Sequence, residues 1–153
     1  MEIKSSIILV TSAGSQLGGT IANHLVNLGA TVILCDIDSA SLDETYQVCS
    51  RYSTSVYSYP IERYDSQTIV KVFDFIQLTF GTTPDVLVNN WVSTPMPTLT
   101  GTQPVSCFID NLSAMASTLF SFGQASVDRL RQANKQGVIV NVISHDDFKD
   151  MSG

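Results

Sequence analysis

The chain has 153 residues, 44% hydrophobic and only 14% charged, with a formal net charge of −6. An average globular chain is about 25% charged, so this composition describes one folded domain over 1–153 with a weakly charged surface, not a disordered chain. The acidic balance opposes binding to nucleic acid or to anionic membranes, both of which call for basic patches.

No stretch reads as the ~20 apolar residues of a membrane span. Ile7–Val10, near the amino end, is too short for a signal-peptide core, so the expected location is cytoplasmic. Cys35, Cys49 and Cys107 are odd in number and lack Cys-x-x-Cys spacing. Reduced structural thiols are the expectation, with no metal site.

Ile7–Thr11 is a continuous β-branched and apolar run, as expected for a central parallel strand buried on both faces. A Ser/Gly turn follows. Leu17, Ile21, Leu25 and Leu28 then recur at helical spacing and are closed by Gly29. Thr31–Cys35 is the second predicted strand. Asp38 or Ser39 caps the next helix, with Leu42, Tyr46 and Cys49 inward. The third strand is expected over Thr54–Tyr59, ended by Pro60. Asp65 or Ser66 opens a third helix with Ile69, Val72, Phe73 and Ile76 inward, stopped by Gly81 and Pro84. Asp85–Val88 is the fourth strand, and Pro95, Pro97 and Gly101 mark an irregular loop. A long helix is predicted over 104–133 and a fifth strand over Val138–Ile143. Alternation of this kind implies a three-layer α/β/α, Rossmann-like fold, with a five-stranded parallel sheet of order 3-2-1-4-5.

Val10–Ala22, Thr31–Asp38, Asp85–Asn90 and Gly137–Ser144 stand in the order and spacing of the short-chain dehydrogenase/reductase family, which the chain resembles from its amino end to its last strand. The resemblance implies NAD as cofactor. Thr11, Ser15, Leu17 and Gly18 fall in the phosphate-binding turn. Asp36, at the end of the second strand, is the expected ribose acid, repelling a 2′-phosphate; as a residue alone it reads equally well as a solvated or helix-capping Asp. Asn89 falls in the motif after the fourth strand. The resemblance assigns Asn111 to hold a relay water and Ser144 to hydrogen-bond a substrate carbonyl; an ordinary strand-end serine is the alternative for Ser144.

The motifs also depart from the family. Ser12 and Gln16 stand where its first two turn glycines belong; Ser12 is tolerable if its backbone dihedrals are ordinary, whereas Gln16 projects toward phosphate space. Pro60 replaces the Asp expected near adenine. Trp91 and Val92 replace Ala-Gly, and Trp91 either fills the cofactor groove or covers otherwise bare core. The family's Tyr-x-x-x-Lys has no counterpart in these 153 residues: Tyr46, Tyr52, Tyr57, Tyr59 and Tyr64 all lack a Lys four positions on, so a proton donor for carbonyl chemistry is missing. Ser144, His145 and Asp146 spell the residue types of a triad, but adjacent residues cannot converge.

Two expectations follow. The first is a non-catalytic binding or scaffold module, a pseudoenzyme with at most weak dinucleotide binding. The second is an NAD-dependent oxidoreductase with a diverged or partner-completed site. A homodimer is expected through the 104–133 helix, the 138–143 edge strand, or both, because little charge guards either surface.

Overall fold

A computed structural model describes residues 2–93 and 104–145. After a short 3-10 turn at Ile3–Ser5, its elements run β1 (Ile7–Thr11), α1 (Gln16–Asn27), β2 (Thr31–Asp36), α2 (Ser39–Ser50), β3 (Val56–Pro60), α3 (Ser66–Phe80), β4 (Val86–Ser93), α4 (Val105–Gln132) and β5 (Val138–His145). The five strands form one sheet of order β3-β2-β1-β4-β5, parallel throughout. This is the expected Rossmann-like architecture. β1 is central, with Ile8 in register with Val32 on one side and Val86 on the other.

Alternate strand residues feed two cores, because successive Cβ atoms point to opposite faces. Ile8, Val10, Val32 and Leu34 pack under α1 and α2. Leu9, Ile33, Cys35 and Leu87 pack under α3 and α4. Each buried Leu, Ile or Phe stabilises by about 1.5–3 kcal/mol relative to exposure. Side chains of Asp38 and Asp65 cap α2 and α3 through the amides of Ser41 and Thr68, and Gly81 ends α3 in the left-handed conformation.

Several expectations need correction. β4 extends to Ser93 and β5 to His145, because the two pair along their full length, from Val86–Val138 to Ser93–His145. Trp91 and Ser144 are therefore strand residues, each paired across the ladder. Pro60 closes β3 from inside, paired with Asp36; at an edge its missing N–H leaves no ladder bond unmade. On α1 the inward face is Gly18, Ala22 and Val26, while Leu17 and Leu28 are exposed. Small residues let this helix approach the sheet, while Ile21 and Leu25 of the predicted stripe still pack against that core from the side. The stripes of α2 and α3 pack as expected.

α4 buries only Thr118, Phe122 and Ser126. An 18-residue window of it reaches a mean hydropathy of 1.2, so by length and composition this helix could cross a membrane. That corrects the expectation that no stretch approaches a span, although helices packed on a sheet pass the same test. Arg129 pairs with Asp74 of α3, and Lys135 pairs with Asp85 at 2.8 Å, fixing the opposite end of the sheet. The loop expected at Pro95–Gly101 and the residues after His145 lie outside the described residues.

Candidate functional site

At the carboxyl end of the sheet the strand order reverses between β1 and β4, where open α/β sheets bind ligands. A cleft of about 510 Å³ opens there, lined by Ser12, Gly14, Ser15, Gln16, Asp36, Ile37, Asp38, Ser41, Tyr64, Trp91 and Val92. It falls within the usual range of about 300–1,000 Å³ for small-molecule sites.

The turn before α1 supplies its floor. Ser12 has φ +48°, so the condition under which a serine is readily tolerated there is not met. The left-handed region costs a non-glycine residue about 1–2 kcal/mol, and here a serine bears it. Bonds around it hold the turn: Ser15 Oγ donates to the Ser12 carbonyl at 2.7 Å and accepts from the Gly18 amide at 3.0 Å. Gly18 has no room for a side chain, since a Cβ would meet the Ser12 carbonyl oxygen at 2.2 Å. With Ser15 Oγ engaged as the cap, the Gln16 and Leu17 amides are the first-turn donors that the helix itself cannot satisfy.

Asp36 is 7% exposed, and it does not cap α2; Asp38 does that. Its Oδ2 accepts from the Gly14 amide at 2.8 Å and its Oδ1 from the Asp38 amide at 3.1 Å. Two of a carboxylate's roughly four acceptor sites stay open.

Tyr64, between β3 and α3, reaches over this turn. Its hydroxyl is hydrogen-bonded to the Ser12 side chain and the Ile37 backbone; burial, with a smaller contribution from the Asp36 charge, pushes its pKa up to about 12. Its ring lies 6.0 Å from that of Trp91 and 6.2 Å, edge-on, from that of Phe122. Three elements thus contribute an aromatic cluster at the switch point. The lack of Lys four positions on says nothing of this role, and no local periodicity marks Tyr64; only the topology reveals it.

The remaining sequence candidates divide. Thr11 Oγ1 accepts the Asn90 amide at 2.8 Å, tying β1 to β4. Asn89 is buried, and its Nδ2 donates to the Leu119 carbonyl at 2.8 Å and to Asn141 Oδ1 at 3.1 Å, joining β4, α4 and β5 beneath the cleft. Its neighbour Asn90 donates to Ser15 Oγ at 3.3 Å. Ser15 lines the cleft, whereas the side chains of Thr11, Leu17, Asn89, Asn111 and Ser144 do not. Asn111 and Ser144 are half-buried in the β4–α4–β5 half. Among the described residues no group of three His, Cys, Asp or Glu side chains is placed to hold a metal.

A parallel 3-2-1-4-5 sheet with a glycine-bearing turn at its switch point defines a Rossmann-type domain. The sequence model of short chain dehydrogenase matches residues 6–153, and the chain belongs to that family. Among characterised relatives it is 29% identical over 90 residues to epidermal retinol dehydrogenase 2 of Mus musculus, a match covering 58% of this chain and 29% of the relative. Among solved structures, the apo form of LigD from Sphingobium sp. strain SYK-6 superposes with a TM-score of 0.82 at 15% identity, covering 92% of this chain and 59% of that one. A short chain dehydrogenase/reductase from Burkholderia phymatum, solved in complex with NAD, gives 0.81 at 18% identity, covering 92% and 50%. The chain therefore spans between a half and three-fifths of these solved neighbours.

Proposed function

We propose that this chain is a binding or scaffold module of the short chain dehydrogenase family, with weak dinucleotide binding and no carbonyl chemistry of its own. The observation that carries this reading is the aromatic cluster: Tyr64 and Trp91 stand at the switch point, where the family's cofactor crosses the sheet. Gln16 also lines the cleft, adding side-chain bulk beside the first-turn amides. The NAD held by one structural neighbour and the acidic Asp36 favour NAD over NADP as the dinucleotide. Each phosphate contact left unmade forfeits a charge-assisted hydrogen bond of about 1.5–3 kcal/mol, and each 1.4 kcal/mol is about tenfold in affinity. Titration of NAD and NADH by calorimetry tests this. Dissociation constants near or above millimolar are expected, and a low-micromolar value refutes the reading.

The module acts on this proposal through a second copy of itself. Ile109, Leu112 and Phe120 on α4, with Val138, Val140 and Ile143 on β5, are exposed. Among the described residues β5 is the edge strand of the sheet, without Pro, Asp, Glu, Lys or Arg, and a two-fold pair would cover both copies' edges at once. Light scattering at micromolar concentration should give a dimer mass, and a clean monomer defeats this part. Val140→Lys and Phe120→Glu then separate a strand contact from a helix contact.

One observation favours an NAD-dependent oxidoreductase instead. Ser144 pairs with Val92 on the ladder, putting the family's serine position one strand from the cleft wall. NADH oxidation by this chain over a panel of aldehydes and ketones would establish that reading.

A further inference from the structure

We propose that the cleft is a site for a small organic cation: a protonated primary amine on an apolar body, with its ammonium on Asp36 and its body against Trp91 and Tyr64. The inference rests on the reading of this cleft as the module's binding site and names the ligand class that the site takes in preference to a dinucleotide.

Charge points to it first. Asp36 and Asp38 both line the cleft, and among the described residues no Lys, Arg or His does. Arg63, beside Tyr64 in sequence, is engaged by Asp65 at 3.2 Å, and the other ion pairs among the described residues join Arg129 to Asp74 and Lys135 to Asp85. The sequence outside the described residues brings no positive balance either: 94–103 holds no charged residue, and 146–153 has Lys149 against Asp146, Asp147 and Asp150. Hydrogen bonds from Ser41 hold the Asp38 carboxyl below the ordinary carboxylate range, so it is ionised at neutral pH. The amides at the start of α1 oppose a cation, but a helix end carries only about half a charge against the two carboxylates. The balance attracts a cation and repels a pyrophosphate.

Donor count and shape narrow the class. Asp36 is 7% exposed and keeps about two of a carboxylate's acceptor sites open. A nearly buried carboxylate without a counter-charge favours a ligand that brings both charge and N–H donors. A primary ammonium brings both, and a quaternary one brings charge alone. Trp91 and Tyr64 hold their rings 6.0 Å apart and tilted by 52°, a corner of aromatic surface without the parallel plates that would sandwich a flat base. A compact cation close to such rings gains a cation–π attraction, largest on Trp. Ile37 and Val92 extend the apolar lining for the rest of the ligand. Burial pushes the Tyr64 hydroxyl up to about 12, so this residue stays neutral beside the two acids.

The test is calorimetry on the full chain at neutral pH with 2-phenylethylamine, 2-phenylethanol, phenylacetate and NAD, and fluorescence of Trp91, the sole tryptophan, is a second readout. The amine should bind about tenfold or more tightly than the alcohol, as expected for a bond between charged groups, and phenylacetate should not bind at millimolar concentration. Amine and alcohol binding alike, or no amine binding at millimolar concentration, overturns the cation site. Weak NAD binding alongside that failure leaves the proposed function standing, whereas low-micromolar NAD removes the proposed function whatever the amine does. Nα-acetyl-lysine amide carries the same ammonium on a polar backbone and should bind more weakly than 2-phenylethylamine; binding as tight or tighter would assign the site to a lysine side chain and overturn the free amine. Asp36→Asn should abolish the preference for amine over alcohol, and a folded variant that keeps it overturns the assignment. If Asp36→Asn does not fold by circular dichroism, Trp91→Leu decides: amine affinity should fall about threefold to tenfold through the lost cation–π contact, and an unchanged affinity overturns the site.

Discussion

On the β1–β2–β3 side, every residue of β2 from Val32 to Asp36 is buried between helices. On the β4–α4–β5 side, the 28 residues of α4 bury three side chains, and β5 leaves Val138, Val140 and Ile143 open. Both halves follow the same parallel rule, yet β2 is covered on both faces while β5 is not. A right-handed crossover covers one face of two strands and no more, so β5, with no strand beyond it among the described residues, presents an edge. The cleft lies mainly on the first side and reaches the second only at Trp91 and Val92 of β4.

The sharpest way to break this comparison is to remove one large side chain from each environment of α4. Phe122 is fully buried in the second core, which it shares with Leu9, Ile33 and Phe73. Phe122→Ala should destabilise by about 3–5 kcal/mol. Phe120, two residues earlier and 68% exposed, should change stability by less than about 0.5 kcal/mol when made Ala. Urea unfolding of the two variants reads this directly. Equal losses would show that the outer face of α4 is covered in solution.

Glycines sharpen the contrast. A Cβ on Gly18 would meet the Ser12 carbonyl oxygen at 2.2 Å, whereas one on Gly123 meets nothing within 4 Å. Gly18→Ala should therefore destabilise by about 3 kcal/mol, the upper end of overpacking, and Gly123→Ala should stabilise by about 0.5–1 kcal/mol through helix propensity alone. A Gly123→Ala that destabilises in thermal melts would mean that something packs against that side of α4.

Tyr64 joins the halves, and pH should loosen the join. Its hydroxyl pKa is raised to about 12, above the ordinary value near 10, so the folded state holds that proton more tightly than the unfolded chain does. Its contribution is fully present below pH 10 and is lost as pH rises from about 10 to 12, on the order of 1–2 kcal/mol at most. The charged partner facing it is Asp36, with the buried Cys35 thiol beside it. Stability of the wild type should fall more steeply across that window than that of Tyr64→Phe. Parallel curves would show that the hydroxyl is not buried against Ser12.

The sheet order was legible because apolar continuity in Ile7–Thr11 and Thr31–Cys35 and the helical stripe of Ile69, Val72, Phe73 and Ile76 reflect local physics. Strand ends were less so: β4 runs on through Asn89–Trp91 because β5 pairs with it, a long-range fact that no local pattern carries. In the site, Asp36 and Gly18 could be named from the resemblance of their motifs to the family's. The bonds from Asp36 to the Gly14 amide and the wall made by Tyr64 could not, because they depend on three loops meeting.

The smallest expected effect is at Ser12, and it is small for a definable reason. Its φ of +48° costs a serine about 1–2 kcal/mol that glycine would not incur. Ser12→Gly removes that strain but frees the unfolded chain, which offsets about 0.4–1 kcal/mol. It also removes the hydroxyl that Tyr64 bonds, a further net loss of about 0.5–1.5 kcal/mol. The terms nearly cancel, so the urea midpoint should move by less than the equivalent of about 1 kcal/mol in either direction. The Tyr64 ring, however, loses one of the two hydrogen bonds that hold its hydroxyl, and Trp91 emission should report the change even with stability unmoved. A gain well above 1 kcal/mol with unchanged emission would mean that Tyr64 is held by Trp91 and Phe122 alone, and that the two halves meet through packing without help from the turn.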